Sequence, residues 1–303
     1  MKVLIAGATG LIGRELVSAC LEQGIEVNFL TTRSGQLDAI KGAKGFLWDP
    51  RNGQLDPESI AGVSAIVNLA GATVSKRWTP SYKEQIRASR EVPARLLYEL
   101  LDSTEHQIEH YISASGISWY PDSLNERYTE AFSPPADSFL GQVTKTWEEH
   151  AMRFSDLGVK VSLVRTGLVL DESEGALPQL VRPVKMGVGA ALGSGDQWQS
   201  WIHLRDIAGI YLYLLQQGLE GVYNGVAPSP VSNRQMTKAI ARILNRPLWL
   251  PAIPAWFLKL ILGEMSELVL EGQWVSSEKI ETAGYNFQFK ELQPALEDLL
   301  KRV

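Results

Sequence analysis

Apolar and polar positions alternate in a regular way through the first half of the chain. Short runs rich in Val, Ile and Leu predict buried strands at residues 2–6, 26–32, 45–49, 64–71, 110–115 and 159–167. Between them, apolar residues recur at the spacing of amphipathic helices, most clearly over residues 14–24, 81–101 and 138–157. Strands that alternate with helices form parallel βαβ units with right-handed crossovers. The pattern therefore predicts an α/β fold with a doubly wound parallel sheet.

The pattern changes after Gly167. Loops become longer, and helical stretches at 206–218, 231–245 and 291–303 surround a segment rich in Pro and Trp. We expect two domains, a nucleotide-binding domain over residues 1–167 and a smaller C-terminal α+β lobe over residues 168–303. Part of the second region is expected to weave back into the first. The cleft between them is where a substrate or a partner would bind.

Composition narrows the class of protein. The chain has 303 residues, of which 45% are hydrophobic, and a formal net charge of −5, which argues against a nucleic-acid-binding protein. Its one cysteine, Cys20, cannot form an internal disulfide, which suits a cytoplasmic protein. The chain opens directly into a strand, so no signal peptide is expected.

The most apolar segment, residues 248–263, is interrupted by Pro251, Pro254 and Lys259. It is shorter than the ~20 apolar residues that a membrane-spanning helix needs, so no membrane span is expected. A buried or partner-facing helix is the favoured interpretation. A helix lying in the membrane interface is the alternative.

The glycines of GATGLIG come directly after the first predicted strand and open the first predicted helix. Gly7, Gly10 and Gly13 allow a tight turn, close approach of the backbone to a pyrophosphate, and close packing of helix on sheet. A tight strand-to-helix turn that binds no ligand is the alternative. The motif predicts a dinucleotide site in a Rossmann-type sheet.

The second predicted strand ends in Thr31-Thr32-Arg33. NAD-binding sites usually place an acid here, ~20 residues after the glycines, to bind the ribose 2′-hydroxyl. This chain has no acid at that place, and an arginine can clamp a 2′-phosphate through two donors. The sequence therefore predicts NADP(H) as the cofactor. The alternative interpretation is that Arg33 is a solvated surface residue.

Motifs along nearly the whole chain carry a family resemblance. They include GATGLIG, NLAG, RWTPSYKEQIRASR, SASGISWY, RTGLVL, LGSGDQWQSWIHLRD and the tail GQWVSSEKIETAGYNF. In these motifs the chain resembles extended and atypical short-chain dehydrogenase/reductases. It is most similar to epimerase-like proteins described as sugar-nucleotide epimerases that carry a small, group-specific C-terminal domain.

The resemblance implies a catalytic Ser at the end of the strand 110–115 and a Tyr-x-x-x-Lys pair on the next helix. In active relatives the Tyr hydroxyl exchanges a proton with substrate, and the Lys lowers the Tyr pKa and holds the nicotinamide ribose. Ser115 matches the Ser. No Tyr in this chain is followed four residues later by Lys, and alignment on Glu148 places Leu140 and Thr144 at those positions. The departure puts dehydrogenase or epimerase chemistry in doubt.

The glycine motif and the resemblance together imply a set of cofactor-binding residues. The set is Gly7, Thr9, Gly10, Leu11, Ile12, Gly13, Thr32, Arg33, Leu69, Ala70, Gly71, Ser113, Gly167 and Leu168.

Residues expected at the carboxyl edge of the sheet, where ligands bind, could replace the missing Tyr and Lys. Tyr120 is a candidate acid, with packing as the alternative role, and Ser115 is a candidate donor to a substrate carbonyl. Trp78, Arg87 and Arg90 follow the fourth predicted strand, in a segment that borders cofactor and substrate in relatives. Solvated helix faces explain the two arginines nearly as well.

Two weaker signals involve histidines. His106 and His110 are four residues apart, but residues 108–113 are predicted as strand and no third ligand is near, so no metal is expected. His203 precedes Asp206, which we expect to cap the helix that starts there.

Two hypotheses remain. The first is an epimerase-like or oxidoreductase-like enzyme that uses NADP(H) on an unknown small-molecule substrate without the usual Tyr-x-x-x-Lys relay. The second is a non-catalytic NADP(H)-binding sensor or scaffold. Relatives often dimerise through a four-helix contact made by the two long helices, so a homodimer is an expected partner.

Overall fold

A sheet of eight strands forms the centre of the computed structural model, which describes residues 1–301. The strands, in chain order, are β1 (Lys2–Ala6), β2 (Glu26–Thr31), β3 (Ala43–Asp49), β4 (Gln54–Leu55), β5 (Ala65–Asn68), β6 (His110–Gly116), β7 (Arg127–Tyr128), β8 (Lys160–Thr166), β9 (Leu168–Leu170), β10 (Trp198–Gln199), β11 (Trp201–His203), β12 (Gly221–Gly225), β13 (Val231–Ser232) and β14 (Trp274–Val275). The α-helices are α1 (Leu11–Glu22), α2 (Pro80–Ser103), α3 (Phe139–Met152), α4 (Leu177–Lys185), α5 (Leu204–Gln217), α6 (Asn233–Ile243), α7 (Ala255–Leu262), α8 (Glu267–Leu270), α9 (Glu278–Thr282) and α10 (Leu292–Leu300).

The strand order of the sheet is β12-β8-β6-β5-β1-β2-β3-β4. All pairs in it are parallel except that of the two-residue strand β4 with β3. The chain moves outward from β1 to β2 and β3, then returns to the other side of β1 at β5. The order therefore reverses beside β1, and the loop after β1 lies at the point where such sheets bind ligands. The predicted α/β doubly wound sheet is confirmed.

Helices cover both faces of the sheet. On one face α1 packs against α5, and on the other α2 packs against α3. The buried apolar side chains divide into two layers accordingly, one containing Leu16 and Ile210 and the other containing Leu97 and Phe154. Burial on both faces explains why β1 and β5 consist of nearly continuous apolar residues.

Residues beyond Gly167 contribute to this sheet. Helix α5 lies on it, and β12 forms its edge by pairing with β8. The C-terminal lobe has a core of its own between α4, α6 and α10, and Trp201 is fully buried there. Two of the three two-stranded ribbons, β9–β11 and β10–β13, pair strands that both lie beyond Gly167. The third, β7–β14, pairs a strand of the first part of the chain with one of the C-terminal lobe.

The expected capping role of Asp206 is wrong. Helix α5 is capped by His203, whose Nδ1 accepts a hydrogen bond of 3.1 Å from the backbone N–H of Arg205. The buried Asp206 carboxylate instead accepts bonds from the backbone N–H groups of Gln288 at 2.7 Å and Phe289 at 2.9 Å. Burial raises the pKa of this carboxyl, and those backbone bonds lower it in part. Asp206 therefore ties the C-terminal tail to α5.

No helix within residues 1–301 combines the length and the apolar character needed to cross a bilayer.

Candidate functional site

A cleft of about 510 Å³ opens at the carboxyl edge of the sheet. Its floor is made by the ends of β1, β5, β6 and β8, and α3 forms one wall. The opposite wall comes from the C-terminal lobe, through residues 198–200, 267–268, 271 and 273. One cavity thus joins segments that are far apart in the sequence.

The glycine loop forms one end of this cleft, and its geometry excludes side chains. Gly7 has φ of +83°, and a Cβ on Gly13 would lie 2.2 Å from the carbonyl oxygen of Gly7. The loop closes with a 3.0 Å hydrogen bond from the Gly10 N–H to the Gly7 carbonyl. No side chain caps α1, and its first turn has no acidic residue. The helix N-terminus is therefore free of a side-chain cap and of negative charge, as a pyrophosphate site requires.

Most of the predicted cofactor residues lie on this cleft. Those that line it are Gly7, Gly10, Leu11, Ile12, Gly13, Leu69, Gly71, Gly167 and Leu168. Thr9 and Ala70 lie within the same two loops but outside the cleft lining, and the carbonyl of Thr9 accepts a 2.8 Å bond from Arg14. Ser113 is fully buried in β6, where its hydroxyl donates to the carbonyl of Ala114.

Thr32 and Arg33 lie farther along the sheet edge, both exposed to solvent. The Arg33 N–H donates to Thr31 Oγ1 at 3.2 Å, which fixes the turn at the end of β2. Beside Thr32 is a second cavity, which Trp48 and Asp49 at the end of β3 help to form. Sequence reasoning missed this cavity because its residues come from the adjacent strand.

Ser115 lies at the end of β6 on the floor of the cleft, but its proton is already engaged. Its hydroxyl donates a 2.6 Å bond to Glu148 on α3. The same carboxylate receives two bonds from Arg165 on β8, at 2.8 and 2.9 Å. Burial alone would lower the Arg165 pKa, but the bonds and charge of Glu148 outweigh it and raise that pKa. Ser115 is thus held by a buried ion pair.

Tyr120, the other candidate catalytic residue, does not line the cleft. Its buried ring stacks on Tyr128, and its hydroxyl donates to Asn224 at 2.7 Å and accepts from Arg165 at 3.1 Å. Burial raises the pKa of this hydroxyl to about 12, against the smaller opposing effect of Arg165. The geometry gives Tyr120 a packing and bracing position.

The two positions aligned with the Tyr-x-x-x-Lys pair both face the cleft. Leu140 presents an aliphatic side chain there, and the hydroxyl of Thr144 donates to the Leu140 carbonyl at 2.8 Å. Lys145, the neighbouring cation, is directed to solvent, 3.9 Å from Glu149. Neither position supplies an acid or a cation to the cleft.

Arg90 on α2 also lines the cleft, next to Gly71. Its guanidinium donates to the carbonyl of Ile86 at 2.9 Å and lies 4.9 Å from the Trp147 ring. Burial lowers the pKa of Arg90 to about 10. Trp78 and Arg87 pack instead around Phe139, away from the cleft lining.

The wall from the C-terminal lobe is acidic. Glu267 and Glu271 line it, beside Gln273 and Trp198. Burial raises the pKa of both carboxyls. The negative charge of Glu264 raises the pKa of Glu267 further, and that of Glu267 raises the pKa of Glu271 further. The tail motif indicates a group-specific domain in this region. The sequence alone does not show that residues of this region line the cleft.

The paired histidines have separate partners. The backbone N–H of Ile108 donates to His106 Nδ1, and His110 Nε2 lies 2.7 Å from the hydroxyl of Ser162. Across residues 1–301 no group of three or more His, Cys, Asp or Glu side chains is placed to hold a metal ion.

A parallel sheet covered on both faces, with a glycine loop at its switch point and a cleft at its carboxyl edge, defines a dinucleotide-binding α/β protein. Residues 3–225 match the model of the NAD dependent epimerase/dehydratase family. The chain belongs to this family, and its fold is the family's NAD(P)-binding fold. Residues 253–299 match a further family model, described as a domain of unknown function, DUF1731. The resemblance drawn from the motifs is confirmed.

Curated relatives extend the likeness over the whole chain. An epimerase family protein of Staphylococcus haemolyticus is 36% identical over 302 residues, covering 99% of each chain. A second, from Staphylococcus aureus strain N315, is 35% identical over 304 residues, again covering 99% of each.

Two solved structures are also similar. The human epimerase family protein SDR39U1 (isoform 2), crystallised with NADPH, is 29% identical with a TM-score of 0.88, covering 100% of both chains. A nucleoside-diphosphate sugar epimerase from Corynebacterium glutamicum is 31% identical with a TM-score of 0.79, covering 99% of this chain and 58% of that one.

Proposed function

We propose that this protein binds NADP(H) and is an oxidoreductase of the epimerase family that acts on a small substrate held against Glu267 and Glu271. The observation that carries the proposal is the continuity of the cleft. A single cavity runs from the glycine loop, past Ser115, to the acidic wall of the C-terminal lobe. It therefore offers room for a substrate beside a bound dinucleotide.

The residues present fit a dinucleotide. Gly7 and Gly13 keep the loop free of side chains, and the uncapped start of α1 would bind the pyrophosphate. Thr32 and Arg33 would hold a 2′-phosphate, since no acidic residue occupies the end of β2. The NADPH in the human relative supports this preference. When bound, the nicotinamide supplies a hydride or accepts one.

The acidic wall bears on the class of substrate. Arg90, Glu267 and Glu271 are the charged residues of the cleft lining, and Arg90 lies on the nucleotide side, next to Gly71. A nucleoside diphosphate sugar would bring two further negative charges towards two carboxylates, which disfavours its binding. A neutral or amine-bearing substrate is complementary to this wall.

Proton transfer needs a group other than the missing pair. The hydroxyl protons of Ser115 and Thr144 are donated to Glu148 and to the Leu140 carbonyl, so both oxygens are available mainly as acceptors. Glu271 has a raised pKa and lines the cleft. A carboxyl that lines a cleft and has a raised pKa is a candidate for general acid–base transfer. We assign that role to Glu271.

A hydride-transfer assay tests the proposal. The NADPH-loaded protein is offered neutral and amine-bearing carbonyl compounds, and in parallel the 4-keto forms of UDP- and dTDP-sugars, while loss of the dihydronicotinamide absorbance is followed. We expect oxidation only with the first group, and a loss of about 100-fold in kcat for Glu271→Gln. The exposed Glu149→Gln is the matched control. Turnover of nucleotide sugars alone, or equal rates in both variants, would contradict the assignment.

A non-catalytic NADP(H) sensor is the second candidate. It is favoured by the same bonds that occupy Ser115 and Thr144, and by the aliphatic side chain of Leu140. Ser115→Ala separates the two functions. If the protein is an enzyme, this change slows hydride transfer and leaves NADPH affinity unchanged; a sensor shows no hydride transfer to any compound in either form.

A further inference from the structure

A large apolar patch covers part of the C-terminal lobe. Twelve large hydrophobic side chains are exposed within residues 1–301, and eight of them belong to two neighbouring segments. We call these eight the apolar patch: Met186, Val188, Trp249, Leu250, Trp256, Phe257, Leu260 and Ile261. Trp249 is 77% exposed and Trp256 is 68% exposed. Exposed tryptophans grouped in this way mark an interaction surface.

The two segments are held side by side. The Ile253 N–H donates to the Ala191 carbonyl at 2.8 Å, and the Gly193 N–H donates to the Ile253 carbonyl at 2.9 Å. A Cβ on Gly189 would lie 3.1 Å from Leu248, which shows how closely the segments pack. Helix α7, framed by these contacts, buries only Leu258 of its eight residues. Trp256 and Phe257 contact each other edge to face, and both remain exposed, as do Leu260 and Ile261.

The charges within the chain segments that carry the patch have one sign. Residues 177–192 and 238–262 contain six basic residues and no acidic one, although the whole chain has a net charge of −5. The six are Arg182, Lys185, Lys238, Arg242, Arg246 and Lys259, and all are exposed. Helices α4 and α6, which carry four of them, pack against each other. The segments that carry the patch are therefore basic in an acidic protein, and the acidic residues begin at Glu264, beyond α7.

We propose that this face docks on an anionic lipid surface. Trp249 and Trp256 would lie at the level of the lipid headgroups, where amphipathic aromatic rings are favoured. Leu260 and Ile261 would enter the acyl boundary, and the cations would meet lipid phosphates. An eight-residue helix is far too short to span a bilayer, so docking is in the plane of the surface.

A second copy of the chain is a poorer occupant. A two-fold contact places the same patch on both sides of the interface. Two locally positive surfaces would then face each other, which like-charge repulsion opposes. Anionic lipid is complementary both to the apolar side chains and to the cations around them.

Docking would also bear on the cleft. Helix α7 leads through Gly263–Ser266 into α8, whose Glu267 and Leu268 line the acidic wall. The lipid-facing helix and the substrate wall are thus consecutive in the chain. This inference does not depend on the proposed hydride chemistry.

Vesicle sedimentation tests the proposal with the full-length protein. One set of vesicles is phosphatidylcholine alone, and the other is phosphatidylcholine and phosphatidylglycerol in equal parts. We expect binding to the anionic set that weakens with added salt, and weak binding to the neutral set. The double variant Trp256→Ser with Leu260→Ser should lose at least about tenfold in partition coefficient. Met152→Ser with Leu124→Ser, also exposed, should bind as the parent does.

A variant with fewer positive charges and a measurement of the oligomeric state in solution complete the test. Arg242→Gln with Arg246→Gln should weaken binding to anionic vesicles by about fivefold per charge, while Lys41→Gln with Arg51→Gln should not. NADPH affinity, unchanged in every variant, reports that each one folds. Absence of sedimentation, or binding that none of these changes affects, overturns the proposal. So does a dimer that the Trp256 and Leu260 variant alone dissociates, because a second copy would then cover the patch.

Discussion

Gly13 shows how strictly single residues can be constrained in the cleft. It follows the turn that brings α1 against the sheet, and a Cβ there would lie 2.2 Å from one backbone atom and 2.7 Å from another. Neither contact can be relieved by moving a flexible side chain. The position therefore accepts glycine alone without a shift of the loop that binds the cofactor.

Gly13→Ala is expected to destabilise the protein by about 2 kcal/mol or more, because overpacking against backbone forces the loop to move. It should also abolish NADPH binding. Gly35→Ala is the matched control, since nothing lies within 4 Å of the added Cβ and the backbone needs no positive φ. Urea unfolding of the two variants measures the difference. Equal free energies of unfolding would contradict the packing argument.

Glu148 supports a second prediction at this scale. Its carboxylate compensates the buried charge of Arg165 and accepts the proton of Ser115. Glu148→Gln leaves that cation uncompensated, so we expect a loss of about 3 kcal/mol in the free energy of unfolding. Glu149→Gln, one position along α3, removes an exposed partner of Lys145 and should cost at most about 0.5 kcal/mol. Chemical denaturation of both variants checks this, and a similar cost in each would refute it.

Among the structural elements, six of the eight strands of the sheet could be predicted from the sequence, all but β4 and β12. The apolar runs at 110–115 and 159–167 correspond to β6 and β8, and the helix expected at 81–101 corresponds to α2. Burial on both faces imposes a pattern that can be read locally. The same holds for the glycine loop, because a tight strand-to-helix turn constrains neighbouring residues directly.

Beyond Gly167 the helices expected at 206–218 and 231–245 correspond to α5 and α6, but the short paired strands could not be predicted in this way. Strand β7 pairs Arg127 with Trp274, and β11 pairs Trp201 with Leu168. Each ribbon is only two or three residues long, too short for an apolar period, and its partner lies far along the chain. For the same reason, the sequence did not show Glu271 entering the cleft.

The contacts of Asp206 give a testable prediction about how the C-terminal tail is held to α5. This residue links α5 to the tail before α10 through two backbone bonds. In Asp206→Asn, the amide N–H group faces a backbone donor, which should cost about 1–3 kcal/mol and speed hydrogen exchange over residues 284–300. Asp196→Asn, which affects only an exposed ion pair with Arg234, is the control. Unchanged exchange of the tail would contradict the assigned link.

At the scale of the whole molecule, the cleft is composite. Its parts come from residues 7–13, 114–118 and 267–273, which meet only in the folded chain. The nucleotide end is made by the sheet edge and the substrate end by the C-terminal lobe. In the proposed function, the sheet edge would hold the cofactor, and the C-terminal lobe would supply the wall that the substrate contacts.

Calorimetric titration with NADPH and NADH, on the parent protein and on Arg33→Asp, tests the central claim most directly. Because Arg33 can clamp a 2′-phosphate, we predict that NADPH binds the parent at least about tenfold tighter than NADH, which is about 1.4 kcal/mol. Arg33→Asp should remove this difference, while the exposed Arg95→Asp should preserve it. Equal affinities in the parent, or no binding of either nucleotide, would contradict the account of the cleft as an NADP(H) site.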